Sequence, residues 1–456
     1  MTSLTTQVLA RLRPSYILSD SPIAAWLRGA GWLFTSSLIE RAAALVQTVM
    51  IARAIGIDNY GRYALLFSTI SLLTPLVGLQ LPYAIIYFVS RYQAREPERA
   101  GAVVLLGRRL TAATTGLMLV VALLFAVPLS DWLFAAPGYA WPLILGAILL
   151  MASIQAGLND TLLQASERFR TLAIARLSTA IVGVLVLVVV AKLKPGLTPV
   201  MIVLAGSAVL RWMAVAIPAR SVSNRLVAHS SLREALRQGS VILQFSLPSG
   251  MLAFAQGIAL WIGNYYLTRS PYGLRDLAVI NTGLQWRSPI LVVMASLASA
   301  LLPMLGRYIG QDDHSQTLRL QRYNMILNVG IALIFSILVI VFSGFILKLY
   351  GRDFHGQTFL FGLFLIVLVP TVYCNVHQQY LVATGRMWTQ FLLFAPYTLI
   401  IVAGTMWFAT GLRGETLGYI QLLAWVITAI LITIVVRVEA SRQAAPNRNN
   451  QEPTQS

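Results

Sequence analysis

Glu40 and Arg41 stand side by side in the middle of an apolar stretch, Gly31–Arg53. A charge at mid-membrane depth costs about 2.5–3.5 kcal/mol on insertion scales. Each therefore needs a counter-charge, a wet cavity or a ligand. On an ideal helix Ser36, Glu40 and Gln47 fall within about 40° of one another. Ser37, Arg41 and Thr48 occupy the adjoining strip, and Leu38, Ile39, Ala42, Leu45, Val46, Val49 and Met50 form an apolar opposite side. Such a helix faces lipid with one side and a protein interior or aqueous cavity with the other. The competing reading is a Glu–Arg pair that only locks two helices. It is weakened because adjacent residues on a helix do not face each other. Asp160, Arg211 and Arg287 are the remaining charges inside apolar runs. Arg211 has a second reading, snorkelling to the surface near Arg220. Asp160 lies near a span end, where water reaches it.

These residues need long apolar elements to hold them. The chain has 456 residues, 57% hydrophobic and 11% charged, with a mean hydropathy of +0.73. Soluble domains carry about 25% charged residues, so this is a polytopic membrane protein. The net charge of +18 formally suits nucleic acid, but the charges punctuate apolar runs, as topology signals do. Cys374 is the single cysteine. It excludes an intrachain disulfide, and no Cys/His metal spacing exists. The residues before the first span include Arg11, Arg13, Asp20 and Arg28 and lack the apolar core of a cleavable signal peptide. No Gly-x-x-x-x-Gly-Lys loop is present, so ATP bound to this chain is not the expected energy source.

Continuous apolar runs, too long for barrel strands, predict an all-α polytopic membrane protein with about twelve transmembrane helices. The expected spans are 31–53, 63–89, 110–130, 140–164, 171–191, 198–219, 241–267, 276–305, 323–347, 357–383, 388–410 and 415–437. They form two six-helix bundles, 31–219 and 241–437. An N-terminal segment 1–30, a linker 220–240 and a disordered tail 438–456 complete the chain. In the linker, Ser231-x-x-Glu234 reads as a capping box that starts a short surface helix. With the N-terminus inside, 22 of the 34 Lys and Arg fall on the cytoplasmic side and 9 on the other. That bias places both termini in the cytoplasm.

Six helices per half makes any internal repeat parallel. Asn59-Tyr60-Gly61-Arg62 follows the first span and Pro271-Tyr272-Gly273-Leu274-Arg275 follows the seventh. Each precedes a span expected to break at a proline, Pro75 or Pro289. The stretch ARAIGIDNYGRYALLFSTISLL resembles the opening of bacterial polysaccharide flippases, in the multidrug/oligosaccharidyl-lipid/polysaccharide exporter superfamily. YGLRDLAVINTGLQ and SALLPMLGRY fall where that superfamily has similar strings.

The resemblance implies two bundles around a central cavity. It also implies alternating-access translocation of an undecaprenyl-diphosphate-linked oligosaccharide across the bacterial inner membrane, for O-antigen, lipopolysaccharide or exopolysaccharide assembly. The protein is then no enzyme. The pathway's polymerase and glycosyltransferases are expected partners, with membrane lipids and no nucleic acid. Where the family often has an acidic residue, about 16 positions after the proline of the seventh span, this chain has Asn264. A neutral amide cannot carry a proton, which leaves Glu40 as the carboxylate for a coupling proton or Na⁺. No other cofactor and no metal site are expected. For a pyrophosphate headgroup, Arg41, Arg211 and Arg287 offer the forked guanidinium that fits phosphate oxygens. Arg287 points about 120° off the polar stripe of its span and pairs elsewhere unless Pro289 bends it back. Asn264, Asn281, Gln285, Asn375, Gln378 and Gln379 are the uncharged cavity candidates. The amides of the tenth span serve equally as glue between helices. The alternative function is a cation-coupled multidrug exporter of the same superfamily. A glycan ligase or polymerase would need a large extracytoplasmic loop, and none is long enough.

Overall fold

The structure is a computed structural model that describes residues 22–92, 96–228, 230, 232–237, 239–310, 314–383 and 387–444. Backbone groups in hydrocarbon must find partners within their own segment or a closed barrel, and every regular element described here is helical. The first bundle comprises α1 (Pro22–Gly78), α2 (Leu81–Tyr92), α3 (Pro97–Leu124), α4 (Ala126–Phe134), α5 (Ala140–Ala165), α6 (Phe169–Leu193) and α7 (Leu197–Val227). A short α8 (Leu232–Arg237) leads into the second. That bundle comprises α9 (Gly239–Leu267), α10 (Gly273–Gly310), α11 (His314–Val341), α12 (Ser343–Tyr350), α13 (Thr358–Ile366), α14 (Leu368–Ala383), α15 (Met387–Trp407) and α16 (Gly414–Ala444). Together they make twelve membrane-crossing segments in two sets of six. Among the described residues, eight of these are long and apolar enough to cross a membrane on length and composition alone. The other four are the first two of each bundle, which line the central cavity.

Helix α1 holds two spans, divided at Gly56 (φ 78°, ψ 168°). That positive-φ backbone suits glycine and kinks the chain between the two spans. The second span continues into α2 across Leu79 and Gln80, both at φ 50°. The expected break at Pro75 therefore falls four residues later, with Pro75 inside the helix. The break expected at Pro289 is absent, since α10 runs through it. Proline forfeits one backbone bond, and neighbouring helices in a bundle compensate for it.

The third and ninth spans show a shared feature that residue patterning did not reveal. Each ends early, at Phe125 or Phe342, and is followed by a short helix, α4 or α12. Pro128, in the first turn of α4, starts a helix readily because no intrahelical bond is lost there. The linker helix α8 lies where a short helix was expected, but Ser231, its capping residue, lies outside the described residues. Helix α16 runs to Ala444, beyond the expected end of the span at 437. The rest of the expected tail, and residues 1–21, lie outside the described residues.

The two Tyr-Gly turns meet at the seam between bundles. Gly61 packs so closely on the Leu274 carbonyl that a Cβ would not fit. Arg275 Nε donates to Asp58 at 3.4 Å, and Asn281 Nδ2 donates to the Tyr60 hydroxyl at 3.0 Å. The buried rings of Tyr60, Tyr350 and Phe354 knit the same seam.

Candidate functional site

Four charges from four helices of the first bundle form a closed ring. Arg211 on α7 donates to Glu40 Oε1 on α1 at 2.9 Å and to Asp160 Oδ2 on α5 at 2.8 Å. Arg176 on α6 donates to the same Asp160 oxygen at 2.7 Å and lies 3.9 Å from Glu40 Oε2. Two carboxylates and two guanidiniums cancel. Removing either Arg–Asp partner would strand a charge, since Asp160 is 5% exposed and Arg176 14%. The ring joins residues that looked unrelated in the sequence. Asp160 is not a wet span end but the most buried member. Arg211 reaches across the bundle instead of snorkelling. The charge bias includes Arg176 among the cytoplasmic-side arginines, although it lies within the expected span 171–191. Its place inside that span, one helical turn before Thr179, is the signal that the sequence carries.

Arg41 takes no part in the ring. Glu40 turns to Arg211, and Arg41 makes no hydrogen bond or ion pair with the described residues. Its side chain reaches a cavity of 670 Å³ shared with Glu40, Arg176, Arg211, Ser37 and Ser153. Most of that lining comes from α1, α5, α6 and α7, and Gln285 and Val292 of α10 close it. A second chamber of 310 Å³ adjoins it between the bundles, with Arg41, Phe67 and Gln285 common to both. Asn264 and Asn281 line this chamber, as do Trp261 and Gln421, which residue spacing did not single out. No carboxylate lines it among the described residues.

The remaining candidates lie elsewhere. Arg287 is buried on the far face of α10, where its Nη2 donates to Thr371 Oγ1 on α14 at 3.2 Å. It lines neither cavity, because α10 stays helical through Pro289 and leaves it turned away. Asn375, Gln378 and Gln379 of α14 also lie outside both linings. His377 is packed, with Nδ1 3.2 Å from Gln321 Nε2 and its ring against Tyr373. An apolar cleft of 720 Å³ between α11, α14 and α16 carries no charged residue. Tyr373, which packs on His377, forms part of its wall.

The bundles are bonded together on the side away from the chain termini. Thr48 meets the Tyr350 hydroxyl at 3.1 Å, and Trp261 Nε1 donates to Thr69 Oγ1 at 2.9 Å. Arg53 Nε donates to the Leu349 carbonyl at 2.5 Å. Arg269 donates to the Leu133 carbonyl at 2.9 Å and to the Trp132 carbonyl, with its guanidinium over the Tyr265 ring. Arg41 precedes Thr48 by two helical turns, so the large cavity lies on the terminus side of this closure.

Comparison with known proteins supplies the remaining findings. The sequence model of a family described as polysaccharide biosynthesis protein matches residues 26–309, and that of the MatE family matches 248–394. No curated protein matches the chain. Among solved structures, similarity extends to an inward-facing multidrug resistance MATE family transporter of the MOP superfamily. Its TM-score is 0.73 at 17% identity, covering 90% of this chain and 96% of that one. An outward-facing MATE family transporter of the same superfamily scores 0.64 at 16% identity, covering 91% and 96%. A MOP superfamily transporter from Pyrococcus furiosus, described as having a binding pocket of reverse polarity, scores 0.60 at 16% identity, covering 95% and 99%.

Proposed function

Because the chain belongs to the polysaccharide biosynthesis protein family, within the MOP superfamily of transporters, we propose that it flips an undecaprenyl-diphosphate-linked oligosaccharide across the bacterial inner membrane. The observation that carries this reading is Arg41, a cation without a hydrogen bond or ion pair among the described residues, in a cavity whose other lining charges, Glu40, Arg176 and Arg211, are tied into the neutral ring that Asp160 completes behind them. Such a cavity has net positive character and suits an anionic headgroup. A cation-coupled drug exporter would instead want a free carboxylate. Here Glu40, the one carboxylate in either lining, is already engaged by Arg211.

In this reading the pyrophosphate sits at Arg41, the sugars occupy the space between bundles and the prenyl tail stays in the bilayer. The termini face the cytoplasm, in keeping with the Lys and Arg bias. The closed side is then periplasmic and the conformation inward-open, which the higher similarity to the inward-facing transporter supports. Rocking of the bundles would expose the cavity to the other side. Glu40 is the proposed site for a coupling proton or Na⁺.

The test is restoration of surface glycan in a flippase-deficient strain, with membrane protein quantified alongside. Arg41→Ala should abolish export at normal abundance. Arg41→Lys should also fail, because a point charge loses the forked geometry. Normal export by Arg41→Ala would refute the phosphate role.

A further inference from the structure

The smaller chamber differs in chemistry from the larger one. Its 310 Å³ correspond to about ten waters at their liquid share of volume. It is walled by α1 and the helices α9, α10 and α16 of the second bundle. Several of its polar side chains have no hydrogen-bond partner among the described residues. Asn264 is 7% exposed and Gln421 3% exposed, and Gln285, Ser71 and Ser288 complete the set. These three amides and two hydroxyls open into the chamber instead of onto protein partners. Polar groups in a confined site need such partners, so the chamber favours an occupant that completes their bonds.

The available chemistry narrows that occupant. Among the described residues no carboxylate lines it for a cation, and the one charge that does, Arg41, stands at the edge shared with the larger cavity. A purely apolar guest would leave the amides unpaired. One wall is apolar and rigid. Trp261 is fixed by its bond to Thr69 and by stacking on Trp132 and Tyr265, with ring centroids at 5.8 and 5.1 Å. Its remaining surface and Phe67 face the chamber. Amides and hydroxyls opposite an aromatic surface suit a pyranose, whose rim bears hydroxyls and whose faces bear C–H groups.

We propose that this chamber is the subsite for the first sugar of the lipid-linked glycan. Gln421, Asn264 and Gln285 bond its hydroxyls, Trp261 packs against its face, and Arg41 holds the adjacent pyrophosphate. The proposal rests on the flippase reading and adds to it a neutral hydrogen-bonding compartment in the second bundle. It also places the sugar directly beneath the aromatic stack that closes the far side. An occupied subsite therefore touches the closure itself.

The test uses full-length protein in detergent micelles and two probes, undecaprenyl diphosphate and the same lipid carrying N-acetylglucosamine. Two or three additional hydrogen bonds, each at the low end of ordinary net strength, should make wild type bind the sugar-bearing lipid at least about tenfold tighter. Gln421→Leu and Asn264→Leu keep side-chain size; each should lower the ratio of the two Kd values, and the two combined should bring it close to one. If either variant fails a thermal-unfolding check, Gln285→Leu on α10 replaces it. Arg41→Ala should weaken both probes alike and preserve the ratio, which separates failure of the phosphate site from failure of the subsite. A ratio near one in wild type, or a full ratio in the leucine variants, overturns the proposal. Wild type that binds neither lipid overturns the flippase reading and the subsite with it.

Discussion

Arg53 and Arg269 should control how readily the far side opens. Each lies at the end of the first span of its bundle and caps a short helix of the other bundle. Arg53 donates to the carbonyls of Leu349, at 2.5 Å, and Lys348, at 3.4 Å, in the last turn of α12. Arg269 donates to the carbonyls of Trp132 and Leu133 in the last turn of α4. The last carbonyls of a helix have no intrahelical partner and form the negative end of its dipole. A guanidinium there satisfies both needs, and only while the bundles are closed. Hydrogen bonds to charged groups contribute about 1.5–3 kcal/mol when buried. Both arginines are exposed, so about 1 kcal/mol per latch is the reasonable discounted figure. One loss should shift the closed-to-open ratio about fivefold, and both, acting on separate helices, about thirtyfold. Spin labels at Ala136→Cys and Tyr272→Cys, in a Cys374→Ala background, report the distance between the bundles on that side. Arg53→Ala/Arg269→Ala should populate a longer distance that is minor in the parent. An unchanged distribution in folded double variant would show that the latches do not hold the closure.

Further expectations concern the ring and the topology. Asp160→Ala strands Arg176 and should destabilise the first bundle by about 3 kcal/mol, the low end for breaking a buried pair. Thermal unfolding should show the loss, and Asp160→Ala/Arg176→Ala should recover part of it; a double variant no better than the single would refute the pairing as the cause. In the Cys374→Ala background, a cysteine at Ala136 should react with an impermeant maleimide added to intact spheroplasts, whereas labelling only after permeabilisation would reverse the assigned orientation.

Much of the architecture was legible because hydrocarbon imposes long apolar runs, and Lys and Arg mark their ends. Composition identified the fold class, and the two Tyr-Gly turns anticipated the repeat. What stayed hidden were features set by side-chain direction. Patterning cannot show that Glu40 turns from its neighbour Arg41 toward Arg211, 171 positions away. It also misplaced Arg176, because an arginine near a span end reads as a topology signal until a buried carboxylate is found opposite. The breaks at Phe125 and Phe342 escaped notice because both flanks are apolar, so hydropathy continues across them. Two prolines drew attention as breakers yet remained inside helices, where the bundle supplies what the backbone loses. In the cavity, Asn281 and Gln285 were found from their polar stripe and Asn264 from its place in the family resemblance. Gln421 was not, since one amide in the twelfth span gives no hint of which helix it faces.

On the proposed reading, the ring would give Glu40 a means of linking coupling to substrate. While Glu40 is ionised it holds Arg211 Nη1 at 2.9 Å, and Asp160 holds Nη2. Arg211 lines the same cavity as Arg41. A proton on Glu40 would weaken the first of these bonds and leave Asp160 as the main anchor of Arg211. The cavity would then gain one positive charge, beside a guanidinium edge free to meet a phosphate oxygen. Proton and pyrophosphate would thus favour each other's binding, as linkage requires when each stabilises the same arrangement. Glu40→Gln imitates the protonated state. It should bind undecaprenyl diphosphate more tightly than wild type, while transport driven by an imposed proton gradient is lost. Equal affinity in the two proteins, or full gradient-driven transport by Glu40→Gln, would remove Glu40 from the coupling step and leave the ring as a structural tie among four helices.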